Sequence, residues 1–151
     1  MTTATPRRLI PPLLCLLLAL ESMAFAANPK PTPTGAGLSH LKGLFQLQTL
    51  ILGKTKVTDA GLKYLKGLTQ LQSLNLGYTK VTDAGLENLE GLTQISYLDL
   101  TETKNITDVG LEHLKHLPHL HELHLGGTKV TQKGLRKLQE VLPDCMDHTT
   151  S

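Results

Sequence analysis

The stretch VTDAGL, from Val57 to Leu62, recurs letter for letter from Val81 to Leu86, and looser copies follow as ITDVGL from Ile106 and VTQKGL from Val130. The starts at 57, 81, 106 and 130 lie 24, 25 and 24 residues apart, a period that marks a repeat architecture. The residues between copies repeat as well. LKGLTQLQSLNLGYTKVTDAGL from Leu65 aligns with LEGLTQISYLDLTETKNITDVGL from Leu89 once Asn105 is taken as an insertion, and LKHLPHLHELHLGGTKVTQKGL from Leu114 aligns with both. LKGLFQLQTLILGKTKVTDAGL from Leu41 supplies the first of four units.

Each unit carries L-x-x-L-x-L-x-x-T-x-V, as in Leu47, Leu50, Leu52, Thr55 and Val57. Alternation around the L-x-L predicts a short strand with one buried face. The period then changes: Leu62, Leu65 and Leu68, like Leu86, Leu89 and Leu92, are spaced by three and form one stripe of a helix. Thr58 and Asp59 are expected to cap that helix, with Asp59 favoured by its dipole. Gly61, Gly85, Gly110 and Gly134 fall in the first helical turn, where each would cost about 1 kcal/mol relative to alanine, so a close approach to a neighbour is expected. Gly67 and Gly91 suit left-handed helix ends. A strand, a corner and a short helix cannot bury their own apolar face, and stacking such units resolves this. The expected fold is an α/β solenoid of about four repeats of 24–25 residues.

Over residues 36–146 the pattern resembles the leucine-rich repeat, with Thr55, Thr79, Thr103 and Thr128 where that family has Asn or Cys. A threonine hydroxyl at this place is expected to bond a neighbouring turn, forming a structural ladder. The corners V-T-D-A-G-L and I-T-D-V-G-L are similar to those of the cysteine-containing class found in F-box proteins. They are also similar to those of exported bacterial repeat proteins, as is the LPDC ending from Leu142. The resemblance implies a curved right-handed superhelix with strands on its concave face and helices outside. It implies a binding role and brings no catalytic residues with it.

The first 26 residues read as a signal peptide: Arg7 and Arg8, an apolar run from Leu9 to Leu20, and the small-x-small triplet Ala24-Phe25-Ala26 before Ala27. The run is shorter than the roughly 20 residues that span a bilayer, so no membrane span is expected after cleavage. Removing Arg7, Arg8 and Glu21 leaves 13 basic and 12 acidic residues, a net charge of +1. No basic stripe remains, and nucleic acid is not an expected partner. Residues 27–35 read as a proline-rich linker and 147–151 as a disordered tail. Cys145 takes the repeat slot of Leu120 and is expected to be buried and inert. Localisation is expected to be exported: periplasmic, cell-surface or extracellular.

The search for chemistry is negative. His113, His116, His119, His121 and His124 crowd one unit, but their repeat slots lie on helix, loop and strand, so they are expected to diverge as solvated polar groups. No metal site and no cofactor is expected. No nucleophile constellation, carboxylate pair or phosphate loop stands out, and the chain is not read as an enzyme. Binding residues are expected on the concave face in two rows, Thr49, Ser73, Tyr97 and Glu122 beside Ile51, Asn75, Asp99 and His124. Tyr78 and Glu102 are expected at its rim. The function so expected is an exported, non-enzymatic module binding a protein or other macromolecule through this face. Alternatives are end-to-end self-association through uncapped ends, a piece of a longer array, and an adaptor of the F-box type.

Overall fold

Both periodicities fold as their spacing requires. The structure, a computed structural model, describes residues 35–149. The expected signal peptide, and the expected linker apart from Gly35, lie outside the described residues. Five three-residue strands, β1 (Thr49–Ile51), β2 (Ser73–Asn75), β3 (Tyr97–Asp99), β4 (Glu122–His124) and β5 (Met146–His148), form one parallel sheet in chain order. Each connection returns through a helical segment: α1 (Asp59–Leu62), α2 (Asp83–Leu86), α3 (Asp108–Leu114) and α4 (Gln132–Gln139). Short 3₁₀ turns at Lys63–Leu65 and Glu87–Leu89 extend α1 and α2, and another at Gly35–Leu41 covers the first unit. The molecule is the α/β solenoid expected. The four expected units are preceded by a helical half-unit and closed by a fifth strand, so the tail expected from Asp147 does not begin there.

The core is a stack of leucine layers. Leu50, Leu74, Leu98 and Leu123 are opposite one another in register and fully buried. Leu62, Leu86 and Leu111 face them from the helical side, as do Leu65, Leu89 and Leu114. Each leucine so buried contributes about 1.5–3 kcal/mol, which makes the layer the unit of stability. Among the described residues, no buried side-chain nitrogen or oxygen lacks a partner.

The corner explains the repeated phrase. Asp59 does not act as a simple cap for its own helix; its Oδ1 accepts from the Thr82 N–H at 2.8 Å and its Oδ2 from the Thr82 hydroxyl at 2.7 Å. Asp83 grips Thr107 in the same way, at 2.8 and 2.7 Å, and Asp108 grips Thr131 at 2.7 and 2.6 Å. Each carboxylate lies over the next corner's glycine, Gly85, Gly110 or Gly134, where a Cβ would collide with it. Thr107 and Thr131 pass the contact on, their hydroxyls accepting from Val109 N–H and Gly134 N–H at their own helix starts. The close approach expected of these glycines is an approach to a carboxylate.

Two local expectations are corrected. The threonine ladder bonds mostly within its own turn: Thr55, Thr79 and Thr128 donate to Leu52, Leu76 and Leu125 carbonyls at 2.6, 2.7 and 2.7 Å. Thr103 does reach the preceding unit, donating to Leu76 O at 3.1 Å. A hydroxyl is too short to span repeats regularly, and the longer Asp at the corner takes that task. Gly67 and Gly91 have ordinary φ; the left-handed positions are Gly43, Lys54, Tyr78, Glu102 and Gly127. The last four occupy the same slot of four successive turns, just past the sheet.

Candidate functional site

Three-residue strands leave their outward side chains in rows across the sheet. The structure pairs Thr49 with Ser73, Ser73 with Tyr97 and Tyr97 with Glu122; beside them run Ile51, Asn75, Asp99 and His124 in the same order. Both expected rows exist, and every member is at least partly exposed. Tyr78 stands just past β2, 55 % exposed, with the Lys54 ammonium 5.5 Å from its ring centre, and Glu102 holds Lys104 at 3.6 Å.

The two ends of this face differ chemically. At β1 and β2 it is small and neutral, with Ile51 the apolar member. At β3 to β5 it turns aromatic, acidic and imidazole-bearing. The Tyr97 and His124 rings lie 5.3 Å apart and tilted, and His124 stacks on His148 at 4.6 Å. Burial, then the nearby Asp99 and Glu122 carboxylates, raise the Tyr97 phenol above its ordinary pKa, so it remains a neutral donor. Asp99 is fully engaged: Asn75 Nδ2 donates to its Oδ2 and the Thr101 N–H to its Oδ1, both at 2.8 Å.

The histidines diverge as their slots require, but they are not all solvated. His113 Nδ1 is 2.6 Å from Glu90 Oε1 of the preceding unit, and this bond foremost lowers the Glu90 pKa. His116 approaches the same oxygen at 3.9 Å, on the helical side. His124 belongs instead to the concave sheet, where it meets Glu122 and His148. The expectation of no metal site takes no account of His148, which joins two other possible donors here. Among the described residues, the donor atoms of Glu122, His124 and His148 all lie within 4.8 Å of one another.

His148 and Met146 escape a sequence reading because the last strand is one residue short. Cys145 aligns with Leu120 at a spacing of 25 (145 − 120), whereas Met146 pairs with Glu122 at a spacing of 24 (146 − 122). A slip of one exchanges the faces of a strand. It brings His148 opposite His124 on the open face and turns Asp147 towards the core, where Gln139 of α4 donates to it at 2.9 Å. The far end of the core thus has a polar cover that the sequence did not reveal. The signal was the third residue after LPDC, a histidine where a tail was expected. Cys145 is buried as expected, and burial, then Asp147, pushes its thiol up to about 11, leaving little thiolate to react.

Two family profiles, both described as leucine-rich repeat, match residues 45–104 and 116–138. No curated protein matches the sequence. Among solved structures, an internalin (inlF) from Listeria monocytogenes is similar over 75 % of this chain and 37 % of its own, with 19 % identity and a TM-score of 0.51. A leucine-rich-repeat protein of Leptospira interrogans is similar over 74 % of this chain and 33 % of its own, with 18 % identity and a TM-score of 0.49. The chain thus spans about a third of the length of these two structures. No helix among the described residues is long and apolar enough to cross a membrane.

Proposed function

The chain is a leucine-rich-repeat protein, and from that premise we propose that it is an exported, non-enzymatic module that binds another protein on its concave strand face. The observation that carries this is the asymmetry of the face. Tyr97, Asp99, Glu122 and His124 gather at one end, where an aromatic ring with a neutral hydroxyl stands among fixed hydrogen-bonding groups. Partly buried tyrosines of this kind serve as anchors, and the smaller Thr49, Ile51, Ser73 and Asn75 extend the contact. Export is supported by the three-part layout of residues 1–26 and by the likeness of the corners to exported bacterial repeat proteins. The corner's other likeness, to the cysteine-containing class of F-box adaptors, rests on the Thr-Asp-x-Gly phrase alone, which here is occupied in joining repeats.

The test is site-directed photocrosslinking in the producing cell, with the probe at Tyr97 on the concave face or at Lys63 on the convex face. The reading expects a discrete adduct from position 97, competed away by wild-type chain and weakened by Asp99→Ala, and none from position 63. Equal adducts from both positions, or none from 97, would overturn it.

A second reading is self-association, favoured by one observation at the β1 end. Leu44 and Phe45 stand 40 % and 59 % exposed there beside β1, the edge strand of the sheet among the described residues. Light scattering over about a hundredfold range of concentration decides it. Mass that grows with concentration and stops growing in Phe45→Ser supports end-to-end pairing, and a constant monomer mass excludes it.

A further inference from the structure

The imidazole-rich end of the concave face has the donor set of a metal site. Glu122 and His124 are two residues apart on β4 and so share a face, and His148 stands opposite His124 on β5. His124 Nε2 lies 2.9 Å and His148 Nε2 3.9 Å from the same oxygen, Glu122 Oε1. Ligands held at about 2.0–2.1 Å around one tetrahedral ion are roughly 3.4 Å from each other, and the two separations bracket that value. The His124 and His148 rings stack at 20° to each other, so their lone pairs run side by side rather than converging. Both side chains are at least partly exposed, at 29 % and 47 %, which leaves room for the rings to splay around an ion.

We propose that Glu122, His124 and His148, brought together across β4 and β5, bind a divalent transition-metal ion of the zinc type, with the fourth coordination position open to the concave groove. Two imidazoles and a carboxylate select zinc and its late first-row neighbours over calcium or magnesium, which take oxygen ligands. Asp99 is not counted as a fourth ligand, because its carboxylate is not among the donor atoms gathered within 4.8 Å of one another and is held instead by Asn75 and the Thr101 N–H. The open position therefore takes water or a donor group from outside. The inference does not depend on a protein partner.

The test titrates Zn2+ into the metal-stripped chain by calorimetry and Co2+ by its visible absorption, with no partner present. One saturating equivalent with a tetrahedral cobalt spectrum is expected. His124→Ala, His148→Ala and Glu122→Gln should each weaken binding about tenfold or more, the least that disturbing a metal's ligand shell brings. The three side chains lie on the open face, where His124 touches the Tyr97 and His148 rings, so without metal these variants should still unfold in one transition within a few degrees of wild type. Zn2+ should raise the unfolding temperature of wild type and not that of the His124→Ala/His148→Ala double variant. His113→Ala/His116→Ala, which removes the imidazoles around Glu90, should leave the affinity unchanged. No saturable binding, binding that survives the 124/148 double variant, or binding lost with the 113/116 pair would each overturn the assignment.

Discussion

Asp108 shows how one side chain can join two repeats. Its two oxygens hold both polar groups of Thr131, and those bonds, side chain first, lower its pKa below the ordinary value of 3.8. A depressed folded pKa means that the bound carboxylate stabilises the fold fully above the ordinary value, and that this contribution is lost as pH falls through the depressed one. Asp108→Ala should therefore destabilise the chain by about 1 kcal/mol at neutral pH, the modest figure reflecting a group near solvent. Asp108→Asn should keep much of the shape and lose the acid dependence. Urea unfolding at pH 7 and at a series of values below 4 measures both; an unchanged acid limb in Asp108→Asn would remove Asp108 from the ladder's energetics. The same logic explains one departure from the phrase, that at Gln132. Gly35 and Gln132 stand at the slot of Asp59, Asp83 and Asp108 in the outermost helical segments. At Gln132 no further corner follows among the described residues for a carboxylate to grip.

At the scale of the element, glycines that look alike in the repeat divide into two kinds. A Cβ on Gly110 would meet the Asp83 carboxylate and the Leu86 side chain, whereas one on Gly91 would meet nothing within 4 Å. Gly110→Ala should cost about 1–3 kcal/mol through forced displacement of its neighbours. Gly91→Ala should change stability by less than about 0.5 kcal/mol, as an open surface position does. Thermal unfolding of the pair tests this, and equal effects would mean that the corner has slack to give. The strands and their outward rows were legible in the sequence because period two and a fixed repeat spacing leave one register for each L-x-L. The function of Asp59 was not, since a Thr-Asp pair before a helix reads equally as a local cap, and only the stacking distance reveals that the carboxylate faces the next threonine. His148 was illegible for a different reason. The repeat spacing that places every other strand fails by one residue after Cys145, and pairing with β4 overrides the alignment.

Across the described residues as a whole, each strand pairs only with its neighbours in the stack, so stability is distributed by position along it. Leu98 sits in the middle layer and Leu47 in the first, 0 % and 5 % exposed. Leu98→Ala should cost about 2–5 kcal/mol and lower protection across all repeats, because it severs the stack at its centre. Leu47→Ala should instead loosen the amides of β1 alone. Native-state hydrogen exchange separates the two, and identical protection maps would show a single cooperative block. The forward grip of each aspartate on the following threonine has a consequence for growth. The first three units each carry a plug for the successor, Asp59, Asp83 or Asp108, and the last three each a filled socket, Thr82, Thr107 or Thr131, while Gly35 and Gln132 stand in the plug slot at the two ends of the described stack. A duplicated length of chain from one corner to the next would arrive with both fittings already matched, so an array of this kind can lengthen by copying its interior and leave its ends as they are.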